Sequence, residues 1–521
     1  MENNKYTDYQ YNRCTSRGIC SVNPATASFL EVILLYLKHV SYYALKLEQN
    51  GNIDRRIRNL VLNTMSVLGS NYEISEANFE MINSAFQAEL PRIIKMFNEV
   101  CQEKELPDES FPDGQTCLNE YIRFGEKKFN KRIQSISTEE RNLYNILFIL
   151  IKSLCINILV LESYNGVSDE YILSVYGVLS LFNSEKSAKE KLRDLILDIS
   201  EKDCNLMKTI SILREEKYGE QEESTVSFST TKGKAILVVG SNIRELEQIL
   251  DVFSEKEIDV YTHDNMIIAH TFPKFKGYKN LKGQFGQGME NCLLDFSTFP
   301  GPIILTRYSL FNVENLYRGR LFTTDFSYSK GVISVKNNDF SGVIKSAEES
   351  RGFKTGKSCE AEKIGFSFKK LTDKIREKLS DGAYDNIILF GIGGYSAEEK
   401  EYFRSFVKHL PPGVLLVSLI CCEDKDNVIC VNASGDVYGM VRLIGEISQF
   451  NKKLTLFFPY SDRHTLSVII GSVKSVNCEI YVGNRNQMVI NANISETLKT
   501  EFGVNELTYP KADMKKILNV K

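Results

Sequence analysis

At 521 residues, with 43% apolar and 25% charged side chains, the chain has the balance of a globular protein with room for about three domains. A net charge of −3 argues against a nucleic-acid partner, whose usual footprint is a basic face. The first residues, rich in Asn, Lys and Tyr, lack the apolar core of a secretory signal, so the twelve cysteines are expected as reduced thiols in a cytoplasmic protein.

In chain order, apolar residues at three-and-four spacing predict helices over 25–47, 55–69, 76–101, 119–133, 139–164, 168–181 and 187–214. Asn23-Pro24, Pro107-Asp108 and Ser168-Asp169 are boundary signals, and the run as a whole predicts an antiparallel helical bundle. Two of these helices need weighing against a membrane reading. The stretch 28–47 is interrupted by Glu31, Lys38 and His39. The stretch 143–161 comes near the ~20-residue spanning length, but Lys152 lies at its centre, between Asn145 and Asn157. Both read as bundle helices, with no membrane partner. Cys155, within Leu154-Cys155-Ile156, reads as an inert core thiol.

The charged, then Ser/Thr-rich stretch 215–232 has no apolar period and reads as a linker. After it the pattern changes. A continuous apolar run at 235–239, a helix at 243–253 and a strand at 258–261 make a βαβ unit, with further strands at 302–306 and 331–335. From 385 onward, strands at 386–390, 414–420, 454–458 and 479–482 alternate with helices at 397–408, 438–449 and 465–473. Such alternation implies a parallel sheet covered on both faces. The fold class is thus a helical bundle (1–214), a linker (215–232) and two Rossmann-like α/β domains (233–380 and 381–521).

Several residues have the chemistry of metal ligands. Cys14 and Cys20 place two thiolates a short turn apart ahead of the first long helix. Cys421, Cys422 and Cys430 fall at and beyond the end of the predicted strand 414–420, the edge where open α/β sheets gather ligands. Together with His263, His270, Cys292, Asp462 or His464 they have the donors of a mononuclear zinc or iron site, but their spacing matches no zinc signature, adjacent cysteines rarely ligate one metal together, and a core or residual-thiol role is the favoured reading. Gly391-Ile392-Gly393-Gly394 has Ser396 where a dinucleotide fingerprint needs its third glycine, and reads as a tight strand-to-helix turn without nucleotide.

The phrases Cys14-Thr-Ser-Arg-Gly-Ile-Cys20, Gly233-Lys-Ala-Ile-Leu-Val-Val-Gly240, Val260-Tyr-Thr-His263 with Ala269-His270, Phe299-Pro-Gly-Pro302, Leu321-Phe-Thr-Thr324 and Phe502-Gly503-Val504 carry a resemblance. In them, and in the order of its domains, the chain resembles the hybrid-cluster (prismane) proteins, known as hydroxylamine reductases. More distantly it resembles the nickel–iron carbon monoxide dehydrogenases. The resemblance implies two metal centres. The family's N-terminal cubane takes four cysteines; here the first pair has become Asp8 and Tyr11, leaving Cys14 and Cys20. The hybrid cluster takes a histidine, two glutamates and four cysteines. At the matching positions stand Ser241 for the histidine, Asn265 and Ser461 for the glutamates, and Ser309, Tyr395, Ser434 and Cys421 for the cysteines. Arg463 replaces a nearby lysine. Hydroxyls and amides are weak ligands for iron, so the hybrid Fe–S–O cluster is not expected to form.

Two thiolates cannot complete a cubane, but two copies related by a two-fold axis supply four. The expectation is therefore a divergent iron–sulfur protein that has lost hydroxylamine reductase chemistry. It would act as a redox or accessory protein, with one [4Fe–4S] cluster shared across a homodimer by Cys14 and Cys20 and with a redox partner protein. The competing reading is an oxidoreductase, hydroxylamine reductase-like or carbon monoxide dehydrogenase-like, with a remodelled metal site near Cys421. The residues leave open whether the chain is an enzyme, and whether the Cys14/Cys20 pair is a cluster site or two free thiols.

Overall fold

The computed structural model describes residues 24–517 apart from 71–73, 102–116, 182–187, 287–290, 310–318, 327–330, 393–396, 421–424, 434, 460, 484–489 and 491. Seven helices open the described chain: α1 (Pro24–Gln49), α2 (Arg55–Ser70), α3 (Glu76–Val100), α4 (Leu118–Ser135), α5 (Thr138–Ser163), α6 (Asp169–Leu181) and α7 (Lys189–Tyr218). Next come β1 (Ser224–Val226), β2 (Lys234–Val239), α8 (Ile243–Phe253), β3 (Ile258–His263), β4 (Leu281–Gln284), α9 (Cys292–Thr298), β5 (Ile303–Leu305), β6 (Leu321–Thr323), β7 (Ile333–Ser334), α10 (Ser341–Glu349) and β8 (Glu362–Ile364). The last stretch holds α11 (Phe368–Ser380), β9 (Asn386–Phe390), α12 (Ala397–Lys408), β10 (Val414–Ser418), β11 (Val428–Cys430), α13 (Val437–Ser448), β12 (Lys453–Phe458), α14 (Arg463–Ser475), β13 (Cys478–Val482), α15 (Ala492–Phe502), β14 (Asn505–Glu506) and α16 (Pro510–Ile517).

Two compact units result. The first is bounded by Met1–Leu206, Asp462–Lys474 and Gln487–Gly503, the second by Met207–Ser461, Ser475–Asn486 and Val504–Lys521. In the first, α1 packs against α3, α4 and α6, and α5 packs against α2, α6 and α15. Helix α5 is long and apolar enough to cross a membrane, yet Leu143, Leu147, Leu150, Leu154 and Ile158 are all buried within the unit. Its start is set by a capping box. The Ser137 hydroxyl accepts from the Glu140 N–H, and the Glu140 carboxylate accepts from the Ser137 N–H.

The second unit holds two six-stranded sheets, ordered β4-β3-β2-β5-β6-β7 and β11-β10-β9-β12-β13-β14, with every described pairing parallel. Counted within each sheet this is the 3-2-1-4-5-6 order of a doubly wound fold. The runs Ala235–Val239 and Ile387–Phe390 are buried on both faces, which is why they read as unbroken apolar stretches rather than alternating ones. In each sheet the strand order reverses beside the first strand, at β2/β5 and β9/β12, and opens a crevice at the carboxyl ends. The stretch read as a linker holds the end of α7 and strand β1, which pairs antiparallel with β8.

Candidate functional site

The crevice edge of the first sheet is built by the residues that follow its strands. After β2 comes Gly240, at φ 121°, then Ser241, which is exposed. After β5, Thr306 Oγ1 donates to the Val239 carbonyl at 2.8 Å and lies 3.3 Å from Ser309 Oγ. The Ser309 and Thr306 hydroxyls occupy the space that a Cβ on Gly240 would enter. Glycine is required there twice over, by its backbone and by this approach. Ser309 is thus held at the β2/β5 reversal, with its hydroxyl turned toward protein atoms.

After β3, Asp264 takes a left-handed conformation (φ 60°), tolerated by a short polar side chain, and the chain turns into Asn265. The Asn265 carboxamide oxygen fills the space beside Gly435, which lies beyond β11 in the other sheet. Asn265 and the segment following Ser434 therefore meet across the two sheets of this unit. Ser461, after β12, is fully buried. Cys430 ends β11, and its thiol donates to the Ile420 carbonyl at 3.4 Å, which brings it beside the residue preceding Cys421. Cys14, Cys20, Tyr395, Cys421, Cys422 and Ser434 lie outside the described residues.

A buried carboxylate stands behind this edge. Glu245 on α8 is paired with Arg307 at 3.0 Å and accepts from Thr324 Oγ1 at 2.6 Å and from the Arg307 N–H at 2.9 Å. Burial raises its pKa above the usual carboxylate range, and the Arg307 charge opposes that. These contacts fix the loops after β5 and β6, and they use up the carboxylate.

The histidines do not gather around a metal. Among the described residues no group of three His, Cys, Asp or Glu side chains is placed to hold a metal ion, and His263, His270 and His464 each meet other partners. Thr262 and His263 are neighbours on β3, so their side chains leave by opposite faces. His263 Nε2 is 3.0 Å from Asp295 Oδ2, on the face with Phe296. His270 Nε2 lies 2.9 Å from Thr262 Oγ1 on the other face, and burial pushes its imidazole down to about 4, neutral at physiological pH. His464 belongs to the helical unit, where it meets Ser153 and Asn157. That grouping was invisible in the sequence, because its members are up to 311 positions apart.

Residues 10–427 match the family model described as the Prismane/CO dehydrogenase family. The chain belongs to this family. Relatives named hydroxylamine reductase run nearly its full length. The one from Thermodesulfovibrio yellowstonii is 25% identical, covering 97% of this chain and 98% of its own. The one from Mannheimia succiniciproducens is 25% identical over 98% and 97%, and that from Petrotoga mobilis 27% over 85% and 83%. A looser likeness, at TM-score 0.48 and 11% identity, covers 97% of this chain and 84% of a solved acetyl-CoA synthase/carbon monoxide dehydrogenase chain. That protein holds NiZn[Fe4S4] and NiNi[Fe4S4] clusters in closed and open alpha subunits. Positions 241, 265, 309 and 461, where the resemblance implies cluster ligands, carry three hydroxyls and one amide, side chains that are weak ligands for iron.

Proposed function

We propose that this prismane-family chain has lost the hybrid cluster and the hydroxylamine reductase chemistry that goes with it. In this reading it is a cytoplasmic redox or accessory protein that works as a homodimer. Cys14 and Cys20 from each copy would together hold one [4Fe–4S] cluster, which would supply one-electron chemistry toward a redox partner protein. The observation that carries the loss is local. Ser309 and Asn265, at former ligand positions, are turned into contacts with Thr306, Gly240 and Gly435. A cysteine or glutamate there would have to give up such packing to reach a metal. The shared cluster rests on chemistry: two thiolates per chain make a complete cubane ligand set only when doubled.

The test is to purify the protein anaerobically and measure iron, acid-labile sulfide and oligomeric state, with and without Cys14→Ser. The shared cluster predicts about two iron per chain in a dimer, all lost with Cys14→Ser. One observation favours a second reading, an oxidoreductase with a rebuilt site at the second sheet's carboxyl edge. Cys430 lies beside Ile420, directly before Cys421 and Cys422 in the chain. Iron, nickel or zinc that survives Cys14→Ser but leaves with Cys421→Ser supports that reading.

A further inference from the structure

The helical unit carries a polar cluster that neither reading of the metal sites uses. Asp203 on α7 and Ser153 and Asn157 on α5 are each 0% exposed. Ser153 and Asn157 are one helical turn apart and share a face. Ser153 Oγ is 2.5 Å from Asp203 Oδ2, and Asn157 Nδ2 donates to Asp203 Oδ1 at 2.8 Å. From the first turn of α14, His464 Nδ1 reaches Ser153 Oγ at 2.8 Å and lies 3.3 Å from Asn157 Nδ2. A carboxyl group and an imidazole are thus joined through one hydroxyl, inside a packed core.

We propose that Asp203, Ser153 and His464 form a buried proton-exchange site, in which one proton moves between carboxylate and imidazole through the serine hydroxyl. With the proton on the imidazole, His464 Nδ1–H donates to Ser153 Oγ and the serine O–H donates to Asp203 Oδ2. In the transfer, the Nδ1–H bond breaks as a new O–H bond forms at Ser153, while the serine's original proton passes to Asp203 Oδ2. Afterwards the Asp203 O–H donates to Ser153 and the serine O–H donates to a bare Nδ1. Both hydrogen bonds persist in either state, with only their direction reversed, and the pair gains or loses no net charge. This matters in a core, where an unpaired charge is costly.

The groups facing the pair leave it that freedom. Asp462 caps α14, accepting from the Thr465 N–H at 2.9 Å. Burial acts to raise its carboxyl, but the charges of His464 and Arg463 and the Thr465 hydrogen bonds outweigh that and hold it below the ordinary range. Arg463 beside it donates to the Gly69 carbonyl of α2 at 3.0 Å, so these two neighbours offset each other in charge. Cys155 on α5, Cys204 on α7 and Tyr171 on α6 are all pushed up by burial, with Asp203 adding to it, and stay neutral. Cys204 donates to the Ser467 carbonyl of α14 at 3.5 Å. Asp203 itself is raised to about 6, first by burial and against its hydrogen bonds to Asn157 and Ser153, the nearby Ser467 hydroxyl and the Arg463 charge, which places its affinity for a proton near that of an imidazole.

The site is independent of any bound cluster, so its failure and that of the metal reading are separable. The experiment uses the full chain labelled with ¹⁵N only in histidine. There are five histidines, and His464 is assigned by the signal missing from H464Q. The expected result is a Nδ1 shift intermediate between the protonated and bare limits over a broad pH range. S153A and D203N should each drive it to one limit. A Nδ1 shift that already sits at a limit in the wild-type chain would overturn the proposal, as would an intermediate shift left unmoved by both variants. The wild-type spectrum decides even if a variant does not fold.

Discussion

Ser309 and Asn265 differ from good iron ligands by few atoms, yet those atoms decide what the residues contact. A hydroxyl or carboxamide is satisfied by a neighbouring protein group, and here each is packed against a glycine. Gly435→Ala should therefore destabilise the protein by about 1–3 kcal/mol, because the new Cβ meets the Asn265 carboxamide. In a double-mutant cycle Asn265→Ala should relieve most of that cost; strict additivity in denaturant unfolding would refute the contact. Asp203 offers a pH test. Its pKa is raised from the unfolded value to about 6, so the folded state binds the proton more tightly between those values. Stability relative to D203N should fall as pH rises from about 4 to about 6 and stay level above, by ~3 kcal/mol in all for this fully buried group. A difference that rises with pH would contradict the assignment. None of the proton cluster was legible in the sequence, since Ser153, Asp203 and His464 lie on helices distant in the chain.

The bundle helices, the helices that flank the central strands and those strands themselves were legible because their signals are local, whereas α9, α10, α11, α15 and α16 were not predicted. Three-and-four spacing placed α1 to α7 within a few residues of their observed ends, and the unbroken apolar runs marked β2 and β9. The short strands β6, β11 and β14 were missed as strands. Runs of two or three residues carry no period, and pairing with a neighbour defines them. Strand β1 hid inside a polar stretch for the same reason: only β8, far along the chain, makes it a strand. Helix α5 is where element and site meet, since it presents Ser153 and Asn157 and begins at the Ser137–Glu140 capping box. Ser137→Ala should cost about 1 kcal/mol of unfolding free energy. No loss in thermal or denaturant unfolding would show that tertiary packing alone holds the start of α5.

The whole molecule keeps the prismane plan, helices followed by two doubly wound sheets, and in the proposed reading it is the side chains at the cluster positions that have changed. Scaffold and chemistry are separable because crevices at strand ends are set by topology, whereas ligation is set by a few side chains. That is why the fold could be read from phrases scattered along the chain, and why the site could be read only by asking what each residue in those phrases can bind. Total iron and acid-labile sulfide in anaerobically purified protein test the account most directly. About two iron per chain, all lost with Cys14→Ser, is the predicted result. Four or more iron per chain that persist in that variant, with the absorption of an oxygen-bridged cluster, would contradict it.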